Sequence, residues 1–253
     1  MIQWRLIPFS VNSASMNMAI DEAISEYIAK DTTNFLPTIR FYGWKPSAVS
    51  IGYFQNLERE IDLISCKKHS IDFVRRRTGG GAVYHDIDGE ITYSIIAKLN
   101  LFPKDILASY RLICGYVCDA LSTLGLEAEF KPINDIIVNN KKISGNAQTR
   151  RNGVLLQHGT ILYKVDVEKM FTILKVPNEK IKDKMITSVK ERVGSVYEFS
   201  PDKISKERLL IELIDSFTKG KDYIEEELCD EEIELAQNLA TNRYSSKEWN
   251  FMR

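Results

Sequence analysis

The chain has 253 residues, of which 44% are hydrophobic and 27% are charged, and its formal net charge is -1. This balance is typical of a globular protein and excludes a disordered or fibrous chain, while the near-neutral charge argues against a nucleic-acid binder or a membrane-surface binder. No apolar run approaches about 18 residues and no basic-then-apolar leader is present, so we expect neither a membrane span nor a signal peptide and predict a cytoplasmic location.

The first half of the chain predicts two helices and several short strands. Residues 16–28 carry apolar side chains at helical spacing and follow Ser13, whose hydroxyl is suited to cap a helix. Asn56 is predicted to cap a second helix that continues through Lys67. Strand-like runs are predicted at residues 38–42, 48–53, 71–75 and 90–97.

The second half predicts a long helix, an antiparallel sheet and a mainly helical end. Pro103 suits the first turn of a helix that ends near Leu124, with Gly125 as its stop. Turn residues at 139–140 and 151–153 separate strand-like runs at 136–138, from 143 onward and at 154–163. Helices are predicted near residues 167–174, 203–217 and 230–239. This mixed order predicts an α+β domain with a mixed, largely antiparallel sheet flanked by helices, not a Rossmann fold.

The segment RRRTGGGAVYHD, residues 75–86, is the first candidate site. Consecutive glycines directly after a strand cost conformational entropy but let the backbone approach a ligand closely. Backbone N–H groups in such a turn can hold an anion, and neighbouring arginines can bind phosphate or carboxylate with two hydrogen bonds. Because side chains alternate along a strand, Arg76 is predicted to point away from Arg75 and Arg77. The segment therefore predicts phosphate or carboxylate binding; the alternative is a glycine-rich turn with solvated arginines.

The second candidate site surrounds Lys142, in the segments Asn134-Asp135 and KKISGNAQ at residues 141–148. A lysine at a strand start beside a small-residue turn can neutralise a substrate carboxylate and an α-phosphate together. Asp135 could hold Mg²⁺ near phosphates. The alternative is a hairpin with two solvated lysines and a turn acid. His158, inside an apolar strand, is either a structural histidine or a pocket residue.

Taken together, these segments resemble the lipoate–protein ligase A branch of the biotin/lipoate protein ligase and octanoyltransferase family. RRRTGGGAVYHD is similar to the signature of that branch, and further blocks follow the family order: NMAIDEAI, IGYFQN, NDIIVNNKKISGNAQ and LLQHGTILY. The GRGRxxR-type loop of biotin ligases is absent. The resemblance covers nearly the whole chain and implies a fold like the catalytic core of class II aminoacyl-tRNA synthetases.

The resemblance implies an enzyme that uses ATP and Mg²⁺ to convert lipoate to lipoyl-AMP. The lipoyl group would then pass to a lysine of a carrier domain, in a 2-oxoacid dehydrogenase E2 protein or the glycine cleavage H protein. Lys142 would be catalytic, Asp135 would lie near the metal, and Tyr53, Phe54 and Val83 would form walls for the dithiolane tail. The binding residues implied are Arg75, Gly80, Gly81, Ala82, Val83, His85, Asn134, Asp135, Lys142, Gly145 and His158.

Three alternatives stay open beside the ligase. An octanoyltransferase of the same fold needs a nucleophilic thiol beside the lysine, and the family's transferases carry it in segments that here read AEFKPIND or RNGVLLQHG, without cysteine. A non-catalytic lipoate-binding paralogue would be expected to lose Lys142 or the glycines, and neither is lost. A paralogue of aminoacyl-tRNA synthetases would need a basic RNA surface, which the net charge does not support. The cysteines are Cys66, Cys114, Cys118 and Cys229.

Residues 1–253 are predicted to form a single catalytic domain. Long members of the family carry a further C-terminal accessory domain, for which the chain has no room after YSSKEWNFMR. An accessory piece is therefore expected to be a separate polypeptide or to be dispensable.

Overall fold

A computed structural model describes residues 2–30, 36–175 and 179–253. Side chains are described throughout these ranges except at residues 179–183, where only the backbone is described. The described strands are β1 Gln3–Asn12, β2 Thr38–Trp44, β3 Ala48–Ile51, β4 Asp72–Arg75, β5 Val83–His85, β6 Glu90–Lys98, β7 Ala128–Lys131, β8 Asp135–Val138, β9 Lys141–Arg151, β10 Val154–Leu162 and β11 Asp222–Glu225. The described α-helices are α1 Ala14–Ala29, α2 Leu57–Glu60, α3 Leu63–Lys68, α4 Ile106–Thr123, α5 Val167–Ile173, α6 Glu179–Arg192, α7 Val196–Phe199, α8 Lys206–Thr218, α9 Asp230–Leu239 and α10 Lys247–Asn250. A π-helical turn, Ala240–Tyr244, joins α9 to the last residues.

The strands form one eight-stranded sheet and one three-stranded sheet. The large sheet has the order β11-β1-β2-β6-β10-β9-β8-β7. It is parallel where β1 meets β11 and β2, and antiparallel across the other pairs. In the small sheet, β3 runs parallel to β4 and antiparallel to β5. This architecture confirms the predicted α+β class.

Helices cover both faces of the large sheet. On one face, α4 and α8 pack on the strands through side chains such as Val117 and Phe217. On the other face, α1 and α9 pack through side chains such as Ile24 and Ala236. Because successive strand residues point to opposite faces, Phe41 of β2 packs with α4 and α8, whereas Tyr42 packs on the side of α1 and α9. Among the described residues, no helix is long and apolar enough to cross a membrane.

Several predicted termini are confirmed. The Ser13 hydroxyl accepts a hydrogen bond from the Met16 backbone N–H at 3.3 Å, which caps α1. Gly125 follows α4 with a φ of 76°, a conformation that favours glycine. The predicted hairpins are present on both sides of β9, with positive φ at Asn139, Asn140, Asn152 and Gly153.

Two predicted helix boundaries are wrong. The helix expected from Asn56 through Lys67 is instead two short helices, α2 and α3, because buried Ile61 is extended between them. Asp62 then starts α3 by accepting from the Ile64 backbone N–H at 3.0 Å. Pro103 precedes α4 rather than occupying its first turn, because Asp105 caps that helix.

Candidate active site

Two adjoining cavities lie between the small sheet and the centre of the large sheet. The inner cavity has a volume of about 180 Å³, and the outer cavity about 460 Å³. Both are bordered by the glycine-rich loop and by β9 and β10. The residues that line both cavities are Gly81, Ala82, Val83, Lys142, Gly145 and Thr160. This shared wall is where a group bound in one cavity can react with a group bound in the other.

The inner cavity has an apolar side formed by Met18, Tyr42, Trp44 and Val83. The sequence identified only Val83 among these walls. Met18 comes from α1, whereas Tyr42 and Trp44 share one face of β2, a period-of-two signal that could have pointed to them.

Tyr53 and Phe54 lie outside the inner cavity, contrary to the sequence-based expectation. Phe54 is 71% exposed, and the Tyr53 ring packs against Trp249 with 5.8 Å between centroids. The Arg75 guanidinium donates to the backbone carbonyls of Tyr53 and Gln55 and so holds this segment in place outside the inner cavity.

The glycine-rich loop is packed tightly against the end of β3. A Cβ on Gly52 would lie 2.0 Å from the Gly80 carbonyl oxygen, so only glycine fits there. Gly80 itself has a φ of 100°, which favours glycine. Arg76 holds the loop by donating from Nη2 to the carbonyls of Gly79, at 2.8 Å, and Gly81, at 2.7 Å. The loop therefore presents its backbone to the cavities in a fixed shape.

Arg75, predicted to bind the nucleotide, lies away from both cavities. Its guanidinium is buried and donates to backbone carbonyls of two segments, residues 52–55 and α10. The backbone N–H of Arg75 donates to the Asn250 side chain at 2.8 Å. Burial lowers the pKa of Arg75 from its usual value. Its donors are thus used to join the C-terminal segment to the base of the glycine loop.

Arg76 is the arginine that lines the inner cavity. It donates to the Ser50 side chain at 3.1 Å and to the Thr78 hydroxyl at 3.1 Å, and burial lowers its pKa to about 10. Arg77 points to the opposite side, where it pairs with buried Glu22. Arg76 is thus separated from both neighbours, as predicted, although β4 ends at Arg75, and the sequence could not tell which of the three would meet the cavity.

Lys142 reaches the wall shared by the two cavities. Its Nζ lies 2.6 Å from Asp135 Oδ1, and these side chains are 40% and 36% exposed. An irregularity in the β8–β9 register falls between Ile136 and Ile137, opposite the lysine. A Cβ on Gly145 would lie 2.8 Å from Nζ, so glycine leaves the space in which the lysine folds over its own strand.

Asp135 lies beside Lys142 but does not line either cavity. In the described part of the chain, no group of three or more His, Cys, Asp or Glu side chains could hold a metal ion. A single carboxylate nevertheless fits Mg²⁺ that is already bound to phosphates, since this ion usually takes only one or two carboxylates from a protein. Asp135 would supply that contact, provided Lys142 turns toward the substrate.

Asn146 connects the Lys142 strand to the preceding loop, and the sequence did not identify this role. Its amide donates to the Asn134 carbonyl at 2.9 Å, and its Oδ1 accepts from the Tyr93 hydroxyl at 2.8 Å. Asn134, a predicted site residue, lines the inner cavity and returns a hydrogen bond to the Asn146 carbonyl. A Cβ on Gly159 would lie 1.9 Å from Asn146 Oδ1, so this glycine is required for the arrangement.

His158 lines the inner cavity within a buried polar chain. Its Nε2 lies 2.7 Å from the Thr78 hydroxyl and its Nδ1 lies 3.4 Å from Asp21 Oδ2. Burial lowers the pKa of His158, against the opposing effect of Asp21, which favours the neutral imidazole. Arg40 donates to Asp21 at 2.7 Å, so this carboxylate is already paired.

His85 also lines the inner cavity and is held on both ring nitrogens. Nδ1 lies 2.7 Å from Glu90 Oε1, and Nε2 lies 2.8 Å from the Ser50 hydroxyl. The ring stacks on Trp44 with 3.8 Å between centroids. Its orientation is therefore fixed before any ligand binds.

All four cysteines belong to the described residues, and none of them lines either cavity. Burial raises the pKa of Cys66 and Cys118 to about 11 and that of Cys114 to about 12. Burial also raises the pKa of Cys229. Because the thiolate is the nucleophilic form, these thiols are poor candidates for an acyl-enzyme.

Comparison with known proteins identifies relatives along nearly the whole chain. Residues 13–218 match the family model of the lipoyl protein ligase A/B catalytic domain. The curated octanoyltransferase LipM of Anoxybacillus flavithermus is 36% identical over 277 residues, covering 99% of this chain and 98% of that protein.

The solved structures most useful for comparison are ligases. A bi-partite lipoate protein ligase from Thermoplasma acidophilum, described with its E2 lipoyl domain, has a TM-score of 0.89 and 35% identity, covering 99% of this chain and 97% of that chain. A lipoate-protein ligase A bound with ATP has a TM-score of 0.83 and 33% identity, covering 99% of each chain. The relatives are thus named as transferases by one comparison and as ligases by the other.

Proposed function

We propose that this chain, which belongs to the lipoyl protein ligase A/B catalytic-domain family, activates lipoate or octanoate with ATP and transfers the acyl group to a lysine of a lipoyl-carrier domain. The relatives make it an enzyme that acts on lipoyl or octanoyl groups. The choice of an adenylate over a thioester is ours. It depends on which groups of this chain face the cavities.

One observation carries the proposal: the wall shared by the two cavities includes Lys142 and the glycine-rich loop, and none of the four cysteines lines it. The inner cavity has one apolar side that suits an acyl chain, while the outer cavity, whose lining also includes apolar residues such as Met170 and Phe171, has the larger volume that a nucleotide needs. The carboxylate and the α-phosphate would then meet at Lys142. Its ammonium can bind the charge that develops on both.

The proposed reaction has two steps. A carboxylate oxygen of the fatty acid attacks the α-phosphorus, and the bond to pyrophosphate breaks. The carrier lysine then attacks the carbonyl carbon of the acyl-adenylate, and AMP leaves. Lys142 exchanges Asp135 for the substrate oxygens, and the loop residues Gly81 and Ala82 border the site of both steps. Mg²⁺ on the phosphates would offset their charge, with Asp135 as its protein contact.

The second candidate is an octanoyltransferase, the alternative that the sequence left open. The specific finding in its favour is the 36% identity to octanoyltransferase LipM over 99% of this chain. A transferase that proceeds through a thioester would need one of the four cysteines to reach the shared wall. Cys114, which accepts a weak hydrogen bond from Gln157 at 3.8 Å, lies in the core of the α4 layer instead.

The carrier and a second polypeptide are the proposed partners. The structural relative from Thermoplasma acidophilum is described as a bi-partite ligase together with its E2 lipoyl domain, so an E2 lipoyl domain is the carrier to test first, and the H protein is the next. That relative is described as bi-partite, and this chain covers 97% of the one relative chain that it matches. A separate accessory protein is therefore proposed to assist activation here too.

The deciding experiment measures lipoate-dependent exchange of labelled pyrophosphate into ATP. The parent, Lys142→Ala and a variant with all four cysteines changed to alanine would be compared. A ligase predicts exchange that Lys142→Ala abolishes and the cysteine-free variant retains. If the parent shows no exchange, synthetic octanoyl-adenylate and an octanoylated acyl-carrier protein are supplied separately, each with an E2 lipoyl domain. Transfer from the acyl-carrier protein that the cysteine-free variant loses would instead identify the transferase.

A further inference from the structure

Ser50, His85 and Glu90 form a chain of hydrogen bonds that crosses the wall between the two cavities. Ser50 and His85 line the inner cavity, and Glu90 lines the outer cavity. The Ser50 hydroxyl lies 2.8 Å from His85 Nε2, and His85 Nδ1 lies 2.7 Å from Glu90 Oε1. The tautomer with its proton on Nδ1 satisfies both bonds: it donates to the carboxylate and accepts from the hydroxyl.

The hydrogen-bonded chain of Ser50, His85 and Glu90 is buried and held in one geometry. Ser50 is 2% exposed, His85 4% and Glu90 1%. The Trp44 ring stacks on the imidazole, and the Thr92 hydroxyl donates to Glu90 Oε1 at 2.8 Å. Carboxylate, imidazole and hydroxyl in this order form a constellation that is used to accept protons in other enzymes.

Two atoms of this chain retain hydrogen-bonding capacity, one at each end. The Ser50 oxygen donates to His85 and accepts from Arg76 Nη1 at 3.1 Å, which leaves one acceptor lone pair for a group in the inner cavity. At the other end, Glu90 Oε2 is buried and has no hydrogen-bond partner among the described residues. Ser50 therefore keeps one acceptor position for a donor in the inner cavity, whereas Glu90 Oε2 is enclosed by the protein.

We propose that Ser50, His85 and Glu90 form the proton relay that deprotonates the carrier lysine before it attacks the acyl group. An N–H bond of the lysine ammonium breaks, its proton passes to Ser50 Oγ, and the Ser50 proton passes to His85 Nε2. Glu90 stabilises the imidazolium. The free amine attacks the acyl carbon, the bond to AMP breaks, and the second amine proton leaves with the AMP phosphate. This inference rests on the proposed acyl transfer to lysine.

The other buried histidine does not fit this role. His158 also bridges a carboxylate and a hydroxyl, but the hydroxyl of Thr78 does not line either cavity. Its carboxylate, Asp21, already accepts from Arg40 and Ser94 at 2.7 Å each. The Thr78 hydroxyl thus borders no cavity and the Asp21 carboxylate is already paired, so His158 provides a matched control.

The charged and titratable groups around the relay come from several elements, and any pH profile reflects them too. Arg76 contacts Ser50, and His158 interacts electrostatically with His85. Tyr42 and Lys206 interact electrostatically with Glu90. The test therefore compares, for each variant, the rates of acyl transfer to two different nucleophiles rather than a single pH optimum.

The experiment supplies synthetic octanoyl-adenylate to the full chain and measures acyl transfer to two acceptors. One is an E2 lipoyl domain, whose lysine has an ordinary pKa of about 10.4 and must lose a proton. The other is hydroxylamine, which is already neutral at the assay pH. His85→Gln is expected to slow transfer to lysine about a hundredfold, within the usual range for general base catalysis, and to leave transfer to hydroxylamine within about threefold. Ser50→Ala and Glu90→Gln are expected to show the same selectivity with smaller losses.

The pH profile gives a second readout. Below the ordinary pKa of lysine, about 10.4, the parent should transfer to lysine faster than His85→Gln, and the two rates should converge as the pH approaches that value. His158→Gln should slow both acceptors in the same proportion. If His85→Gln also slows both equally, the relay is wrong while the proposed function stands. If the parent transfers the acyl group from neither octanoyl-adenylate nor an octanoyl thioester, the proposed function fails and the relay with it.

Discussion

The two sides of the shared wall hold their cations in different ways. On the side of the glycine loop, Arg76, and Arg75 behind it and away from both cavities, are buried and donate mainly to backbone carbonyls. On the side of β9, Lys142 is 40% exposed and has one partner shown, the carboxylate of Asp135. A buried carbonyl is costly to leave without a donor, whereas a partly exposed ion pair is weak and exchanges readily.

This difference separates structural cations from a catalytic one. The arginines fix the shape of the loop, and the lysine is available to a substrate. In the sequence, three arginines and two lysines lie in two segments that are both candidates for phosphate binding. Only the identity of their partners distinguishes them. If this distinction holds, the loop side is rigid, and the ion pair on the β9 side can be exchanged for a substrate.

The largest expected effect is on catalysis, at the exchangeable side. Lys142→Ala should slow acyl transfer from ATP and lipoate about a thousandfold, the upper part of the range for removing one transition-state donor. Its free energy of unfolding should change by less than about 1 kcal/mol, because the ion pair with Asp135 is exposed. Steady-state transfer assays and urea unfolding measure these two quantities.

The neighbouring lysine provides the control for this change. Lys141 Nζ lies 3.4 Å from Glu198 on the protein surface, and it lines neither of the two cavities. Lys141→Ala should therefore leave transfer within about twofold. A loss of stability in Lys142→Ala that matches its loss of activity would contradict the assignment of Lys142 to chemistry.

The next effect is on stability, at the rigid side. Arg75→Lys keeps the charge but cannot reproduce the forked donors that reach Tyr53, Gln55 and Asn250. The loss should be about 2–3 kcal/mol in the free energy of unfolding, since buried carbonyls lose their donors. Arg59→Lys, at an exposed position of α2, should change it by less than about 0.5 kcal/mol. Equal effects would mean that Arg75 is not a structural cation.

The sequence was sufficient for the fold class because long periodic segments carry it. Residues 106–123 and 154–162 have unmistakable patterns, and the Asn-rich turns match their positive φ angles. β1 is not among the predicted strands, and it contains Pro8, a residue that disfavours a strand interior. Pro8 lies where the β1–β2 register shifts, between Ile7 and Ser10. β11 was missed because its four residues are mostly exposed at the sheet edge.

The candidate site was only partly predictable, because part of it depends on how the two sheets pack together. The glycines and Lys142 stand out because few structural roles require those residues at that spacing. Which arginine faces the cavity depends on how the small sheet packs on the large one, which no local pattern encodes. The relay residues Ser50 and Glu90 come from different sheets, so only the folded chain brings them to His85.

A third prediction concerns the packing that keeps the loop rigid. Gly52→Ala would place a Cβ 2.0 Å from the Gly80 carbonyl oxygen, and backbone cannot yield there cheaply. The loop should shift, and transfer should fall about tenfold to a hundredfold, as expected when reacting groups move by about 1 Å. Gly79→Ala meets no atom within 4 Å and should leave transfer within about threefold. Similar rates for both variants would show that the loop is mobile rather than fixed.

The smallest expected effect is a pH dependence of the free energy of unfolding, and it arises from His158, next to the glycine loop. Burial lowers the pKa of His158 below its ordinary value of 6.5, so the unfolded chain binds more protons than the folded chain as the pH falls below about 6.5. This contribution is therefore fully present above that pH and is lost progressively below it. Unfolding by urea at pH 7.5 and 5.5 should show a smaller pH-dependent loss in His158→Gln than in the parent, whereas His69→Gln, at an exposed position, should match the parent. If His158→Gln and the parent lose equal stability, then His158 is protonated as easily in the folded chain as in the unfolded one, and the hydrogen-bond chain through Thr78 and Asp21 does not hold it neutral.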